Sequence, residues 1–227
     1  VHHTCLAGGG RLKEGSKTGK PKKSRPKEFE ELQYEPRSVR ELLTEMKDIS
    51  DLIVDLAYSA LIFDSKEMAE EVRGLEIKMD KLNYQIRLTA MIASRSLQHA
   101  ESLTGILQIA EAAQHISDAA GDVVDLISEE IDTRPFLPFV LRNADEKFNA
   151  VRVFPESEIV GRTIADSNIE TSTGTHIIAI KRRSGWVFDP EPTSTMRGND
   201  IAIIRGTADG YSKFLKIARG KQEGARA

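Results

Sequence analysis

The stretch SVRELLTEMKDISDLIVDLAYSALIF (residues 38–63) puts apolar side chains at Val39, Leu42, Leu43, Met46, Ile49, Ile53, Leu56, Ala57 and Ala60. Recurrence at three and four residues is the period of an α-helix with one apolar stripe; a strand would scatter these positions over both faces. Pro36 and Ser38 stand where a helix start and its N-cap belong. Two more runs share the period. Val72, Leu75, Met79, Leu82, Ile86, Ala90, Ala93 and Leu97 mark a second helix over residues 65–97. Ile109, Ala113, Ile116, Ala120, Val123 and Ile127 mark a third over residues 102–131. Ser65 and Ser102 serve as N-caps. Short links between long helices make antiparallel neighbours, so the expected result is a three-helix bundle.

The texture changes at DTRPFLP (residues 132–138), where two prolines end the bundle, and a short helical connector over residues 139–147 is expected. Beyond it FNAVRVF (148–154), THIIAI (175–180), GWVF (185–188) and DIAIIRG (200–206) have strand length and strand composition. TIADSNI (163–169) and residues 207–219 read as helices. The fold class is therefore α+β: a basic leader at 1–36, the bundle at 37–132, a connector at 133–147, a small α/β domain at 148–220 and a tail at 221–227. The α/β domain is small enough to gain from dimerising.

Composition narrows the function. The 227 residues are 40% hydrophobic and 30% charged with a net charge of −3, which argues against nucleic acid or anionic lipid as a partner drawn by a global field. A single cysteine, Cys5, excludes a disulfide framework and a cysteine metal cage. No apolar run reaches the roughly 18–20 residues of a membrane span, so work at a membrane would pass through a partner. The first 30 residues, rich in lysine and glycine, hold too little apolar surface to offset their ordering entropy. Within them GSKTGKP (15–21) fails as a phosphate loop, because the glycines are too close and Pro21 replaces the hydroxyl residue. There is no nucleophile elbow, H-E-x-x-H or C-x-x-C, and a non-enzymatic protein is expected.

Carboxylates are the chemically loaded feature of the helices. ISDLIVD (49–55) and ISDAAGD (116–122) share the pattern I-S-D-x-x-x-D, and EIKMD (76–80) adds a third acid pair. The candidate set is Asp51, Asp55, Glu76, Asp80, Asp118 and Asp122. In the third helix Glu111, His115, Asp118, Asp122, Asp125 and Glu129 advance by four, three, four, three and four, forming one line. Asp51 and Asp118 each lie about 200° around the helix from an apolar seam residue, which points both pairs outward. Solvated faces ordinarily mix signs, yet no Lys or Arg occurs between Glu101 and Ile131. Three readings stand: a wet face, a site for a hard cation or for iron or manganese, and a surface for a basic partner.

These three helices with their E/D-x-x-x-D pairs resemble the PhoU-type bundle. That resemblance implies multinuclear metal on the bundle surface, held by the six acids above; only one of the family's two three-helix repeats is present. IVGRTIADSNI (159–169), HIIAIKR (176–182), GWVFDP (185–190) and GNDIAIIRGT (198–207) resemble the TrkA C-terminal (RCK-C) domain in order and spacing. The pairing of the two is similar to architectures in archaeal potassium-transport regulators. What the RCK-C resemblance implies is a dimeric regulatory module with cyclic di-AMP as effector, carried over to the region of Asn168, His176 and Arg182. No nucleotide-binding RCK-N domain or G-x-G-x-x-G accompanies it. The expectation is a cytoplasmic homodimer that regulates a membrane potassium channel or transporter subunit from the inner face. The alternatives are a PhoU-like metal-binding regulator of phosphate uptake and a dimeric scaffold without a ligand.

Overall fold

The computed structural model describes residues 36–128 and 144–220. The expected leader up to residue 35, most of the connector, Glu129 and the tail lie outside the described residues.

Three long helices come first: α1 (Val39–Phe63), α2 (Lys66–Ala93) and α3 (Leu97–Ser128). Ser38 starts α1 with a capping box. Its hydroxyl accepts the Glu41 N–H at 3.2 Å, and the Glu41 carboxylate accepts the Ser38 N–H at 2.8 Å. Asp64 ends the helix in the left-handed conformation, and Ser65 caps α2 by accepting the Met68 N–H. Leu42, Met46, Ile53 and Leu56 of α1 are fully buried with Met68, Val72, Met79 and Ile86 of α2, as the helical period requires.

Three expectations about these helices need correction. The second helix stops at Ala93, not Leu97, because Ser94 takes an extended conformation; α3 then begins at Leu97, which is 78% exposed. Ser102 is inside α3, its hydroxyl donating to the Gln98 carbonyl, and caps nothing. The seam of α3 is also rotated. Ala110, Ala113, Ser117, Ala120 and Val124 are buried, whereas Ile109 and Ile116 are 60% and 43% exposed. Small residues face inward along this line, and at Gly121 the Glu76 carboxylate of α2 occupies the space a Cβ would take, 2.7 Å from it.

The second part is a four-stranded antiparallel sheet in the order β1-β4-β2-β3. Its strands are β1 (Lys147–Arg152), β2 (Thr175–Arg182), β3 (Gly185–Phe188) and β4 (Ile201–Gly206). Residues 144–146 are not helical, so the connector helix does not extend into them. The expected helix over 163–169 is two short ones, α4 (Ile164–Ser167) and α5 (Ile169–Thr173), broken at Asn168, whose φ is 49°. The last helix, α6 (Ala208–Arg219), has Thr207 as N-cap.

Apolar residues run along β2 and β4 because both faces of the sheet are covered. Ile177, Ile180, Ala202 and Ile204 pack with Val151, Ile169 and Phe214 on the side of α4–α6. Ile178, Ala179 and Ile203 join the core of the bundle instead. A β-bulge makes this possible. Ile177 pairs with Ile204 and Ala179 with Ile203, leaving Ile178 as the extra residue, so two consecutive side chains of β2 reach the bundle.

α6 sits close on α5 and β2. A Cβ at Gly210 would come within 2.7 Å of the Thr173 carbonyl oxygen and 3.0 Å of Thr175 Cγ2. Helix propensity alone favours alanine over glycine by about 1 kcal/mol. Overpacking against a fixed backbone costs about 1–3 kcal/mol. Gly210→Ala is accordingly expected to lower the melting temperature, and a rise would show that α6 can shift away.

Candidate functional site

Where α1 meets the sheet, a cleft of about 680 Å³ opens. α1 lines it with Asp48, Asp51, Leu52 and Asp55, α3 with Ile116, and the sheet domain with His176, Asp189 and Arg205. His176 of β2 and Arg205 of β4 are direct partners across the ladder, which places their side chains next to one another. Residues 201, 203 and 205 alternate toward the bundle. The run IAIIRG therefore sends two isoleucines into the shared core and a guanidinium to its rim. Asp189 follows β3 with φ 44°, and its N–H donates to the carbonyl of the bulged Ile178. Tyr58 of α1 stacks on Phe148 of β1 at 6.3 Å beside the same junction.

Asp55 is the centre of this region and corrects the reading of the acid stripes. It does not point outward: it is 5% exposed, and Arg205 Nη1 donates to its Oδ1 at 2.7 Å. One seam facing α2 and α3 was assumed, but α1 has a second covered side, against the sheet. Asp51, a turn earlier, is exposed and paired to Lys47 at 2.8 Å. Arg205 also contacts Glu146 through Nε at 3.2 Å. On the adjacent strand His176 Nδ1 lies 3.1 Å from Glu170 Oε1, and the same carboxylate oxygen accepts the Ile177 N–H at 2.7 Å.

Protonation follows from these contacts. Burial pushes the Asp55 carboxyl above its ordinary range, outweighing the Arg205 guanidinium. The hydrogen bond that His176 donates to the Glu170 carboxylate raises His176. Burial works against the Glu170 carboxylate, but its bonds to His176 and the Ile177 N–H prevail and lower it.

The candidate ligand residues part company. Asn168 is exposed at the α4–α5 junction, and its side chain makes no capping bond. It starts the short helix that carries Glu170 and so holds His176. Arg182 lies six residues further along β2, about 20 Å at the strand rise. Its Nε donates to Asp200 at 3.2 Å and its Nη2 to the Thr195 carbonyl at 2.7 Å; its side chain is 13% exposed and that of Asp200 is 4%.

The six candidate metal ligands fall into two groups. Asp51 and Asp55 belong to the junction. On the other side of the bundle the Gln114 amide donates to Asp80 at 2.6 Å and to Asp118 at 2.9 Å, so a side-chain amide joins α2 and α3. Glu76 packs against Gly121, and Asp122 is exposed one turn beyond Asp118. Among the described residues no three His, Cys, Asp or Glu side chains are gathered in a metal-holding group.

Sequence reasoning missed Arg205, Glu170, Gln114 and Asp200. A signal for Arg205 existed, since it is the one charged residue in IAIIRG and has the bundle-facing parity.

Comparison with known proteins assigns both parts. Residues 43–127 match the PhoU domain and residues 150–219 the TrkA-C domain. Among curated proteins the chain is similar to the Ktr system potassium uptake protein C of Bacillus subtilis (strain 168), 28% identical over 104 residues. That match spans 46% of this chain and 46% of the relative, so the chain covers less than half of the relative's length. Among solved structures it is similar to the RCK_C domain dimer of S. agalactiae BusR in complex with c-di-AMP. That match has 24% identity, covers 33% of this chain and 93% of the other, and has a TM-score of 0.31. The RCK C domain of the potassium transport protein KtrA in complex with cyclic diadenosine monophosphate is 23% identical, covering 37% and 95%, with a TM-score of 0.30. S. agalactiae BusR bound to its busAB-promotor DNA is 18% identical, covering 81% and 97%, with a TM-score of 0.30. No described helix is long and apolar enough to cross a membrane.

Proposed function

We propose that this chain, in which a PhoU domain is joined to a TrkA-C domain, regulates potassium transport by a separate membrane protein. In this reading it works without catalysing a reaction, at the inner face of the membrane. The observation that carries the reading is the TrkA-C match across β1 to α6, together with a curated relative whose name is that of a potassium uptake protein. The TrkA-C domain acts as a homodimer and senses a small ligand, with cyclic di-AMP as the effector. A two-fold symmetric ligand suits a cleft shared by two identical subunits. His176, with its side chain half-exposed and its charge favoured by Glu170, and the outward Asn168 supply polar groups for it. Arg205, fixed beside His176 and bonded to Asp55 of α1, connects that region to the PhoU bundle. A ligand that binds one arrangement of this junction better than another shifts the bundle with it.

Titration calorimetry with cyclic di-AMP and a panel of nucleotides tests the sensing arm. Saturable heat is expected, weakened at least tenfold by His176→Ala and by Asn168→Gly, the latter chosen because glycine tolerates φ 49°. At a hundredfold excess over Kd the ligand should stabilise the protein by about 2.7 kcal/mol. No heat and no change in melting across the panel would remove the sensor role. The transport arm is read separately, as potassium accumulation in cells with and without the chain. A change in phosphate accumulation alone would favour the alternative that the PhoU match supports.

A further inference from the structure

The rotation of α3 leaves a second pattern on its outer side. Gly105, Ile109, Ala112, Ile116, Ala119 and Val123 advance by four, three, four, three and four. The spacing is a heptad repeat, and the two heptad positions differ in kind. One holds only small residues, Gly105, Ala112 and Ala119; the other holds only β-branched ones, Ile109, Ile116 and Val123. Such a seam is what a second helix packs into, with β-branched knobs beside shallow places where backbones approach. Yet the first five of these residues are exposed, Ile109 at 60% and Ile116 at 43%. The core of the bundle uses the neighbouring line through Ala110, Ala113, Ser117, Ala120 and Val124, and of the outer seam only Val123 packs against that core.

Charge identifies the occupant. One flank of the seam is the acid stripe of α3, which also carries His115; Asp125 meets Arg73 and Asp118 accepts from Gln114, whereas Glu111 and Asp122 pair with no described residue. On the other flank Ile116 shares the cleft with Asp48 and Asp51 of α1, where Lys47 already contacts both carboxylates. A second copy pairing through the same seam would set carboxylates against carboxylates, unfavourable by a few tenths of a kcal/mol for each close pair. A helix with an apolar stripe and lysine or arginine on the shoulder beside the acid stripe meets the seam and that flank favourably. We infer that the outer face of α3 is a docking surface for a basic amphipathic helix of a partner protein. The acid stripe, unabsorbed by any metal site among the described residues, is the electrostatic border of that surface.

The test uses a synthetic 24-residue helix with Ile and Leu at its seam positions and Lys on the shoulders, and a twin with Glu in place of Lys. Fluorescence anisotropy with the whole chain should give saturable binding of the Lys peptide, at least tenfold weaker binding of the Glu peptide, and weakening by added salt. Ile109→Ser combined with Ile116→Ser should weaken the Lys peptide at least tenfold, and so should Ala112→Leu, which fills a shallow place. All these positions are exposed, so the variants should melt close to the wild type. Equal affinity for both peptides, or binding that none of the substitutions alters, overturns the inference. Self-association in the ultracentrifuge that the double serine variant abolishes overturns it too, by assigning the seam to a second copy.

Discussion

Arg182→Ala is expected to destabilise the TrkA-C domain by about 3 kcal/mol, on the order of 10 °C in melting temperature, because it strands a buried carboxylate. Asp200 is 3% exposed as a residue and accepts two donors on Oδ2, the Arg182 Nε at 3.2 Å and the Arg197 N–H at 2.9 Å. The guanidinium also takes the Thr195 carbonyl at 2.7 Å, and Thr195 forms an isolated β-bridge with Thr163 at the start of α4. One side chain at the end of β2 thus fixes the loop leading into β4 and, through it, the entry to the short helices. Truncation leaves Asp200 with one backbone donor where it had a cation. Removing both charges in Arg182→Met with Asp200→Asn should recover part of the loss, since a buried charge without its partner costs more than the pair contributes. Urea unfolding of the three variants measures this. Unchanged stability with weakened nucleotide binding would instead place Arg182 in a ligand site.

The bundle was legible because its signal is local. A period of 3.6 residues needs no knowledge of neighbours, and Leu42, Met46, Ile53, Met79 and Ile86 are buried where the period puts them. The phase of α3 was not legible, because Ile116 and Ser117 compete for one direction and hydrophobicity favours the wrong one. Packing against α1 and α2 buries Ser117 and leaves Ile116 exposed, and no single helix carries that information. The burial of Asp55 was hidden for a related reason. Its i−4 neighbour Asp51 is solvated and paired to Lys47, and only the sheet, more than a hundred residues later in the chain, distinguishes them. The strands of the sheet were readable from apolar runs and turn residues, but not which face of β4 the bundle would cover. Asn168 and His176 were singled out as candidates only through the TrkA-C resemblance, while Glu170 and Arg205, which contact His176 and Asp55, needed coordinates.

Arg205→Met is expected to weaken the junction between bundle and sheet in a pH-dependent way, by about 2–3 kcal/mol at pH 8 and clearly less at pH 5. The upper figure is held below that of a fully buried pair because the Arg205 side chain is 38% exposed. The pH dependence comes from Asp55. Burial already holds its carboxyl above the value of about 3.9 that it has in an unfolded chain. The folded state therefore binds the proton more tightly, and stability falls as pH rises from that value through the folded one. Without the guanidinium the folded value climbs further, so the loss is small where Asp55 can take a proton and full where it cannot. His176 acts in the same direction at higher pH. Its folded value is raised, so its contribution is complete below about 6.5 and is lost as pH rises through the folded value. Glu170 is lowered and opposes them only in acid, where its contribution disappears as pH falls through its folded value. The charged groups that meet here are Asp48, Asp51 and Asp55 with Lys47 from α1, Glu146, His176 with Glu170, Asp189 and Arg205. Deprotonating His176 leaves the acids facing Arg205 and Lys47. Asp55→Asn in the Arg205→Met background should shrink the difference between pH 5 and pH 8 to what His176 contributes, because no buried carboxylate remains to be stranded. Urea unfolding at pH 5, 6.5 and 8 checks the series. An Arg205→Met loss equal at all three values would mean that Asp55 stays ionised without its partner, and that the junction rests on Ile178, Ala179 and Ile203 rather than on charge.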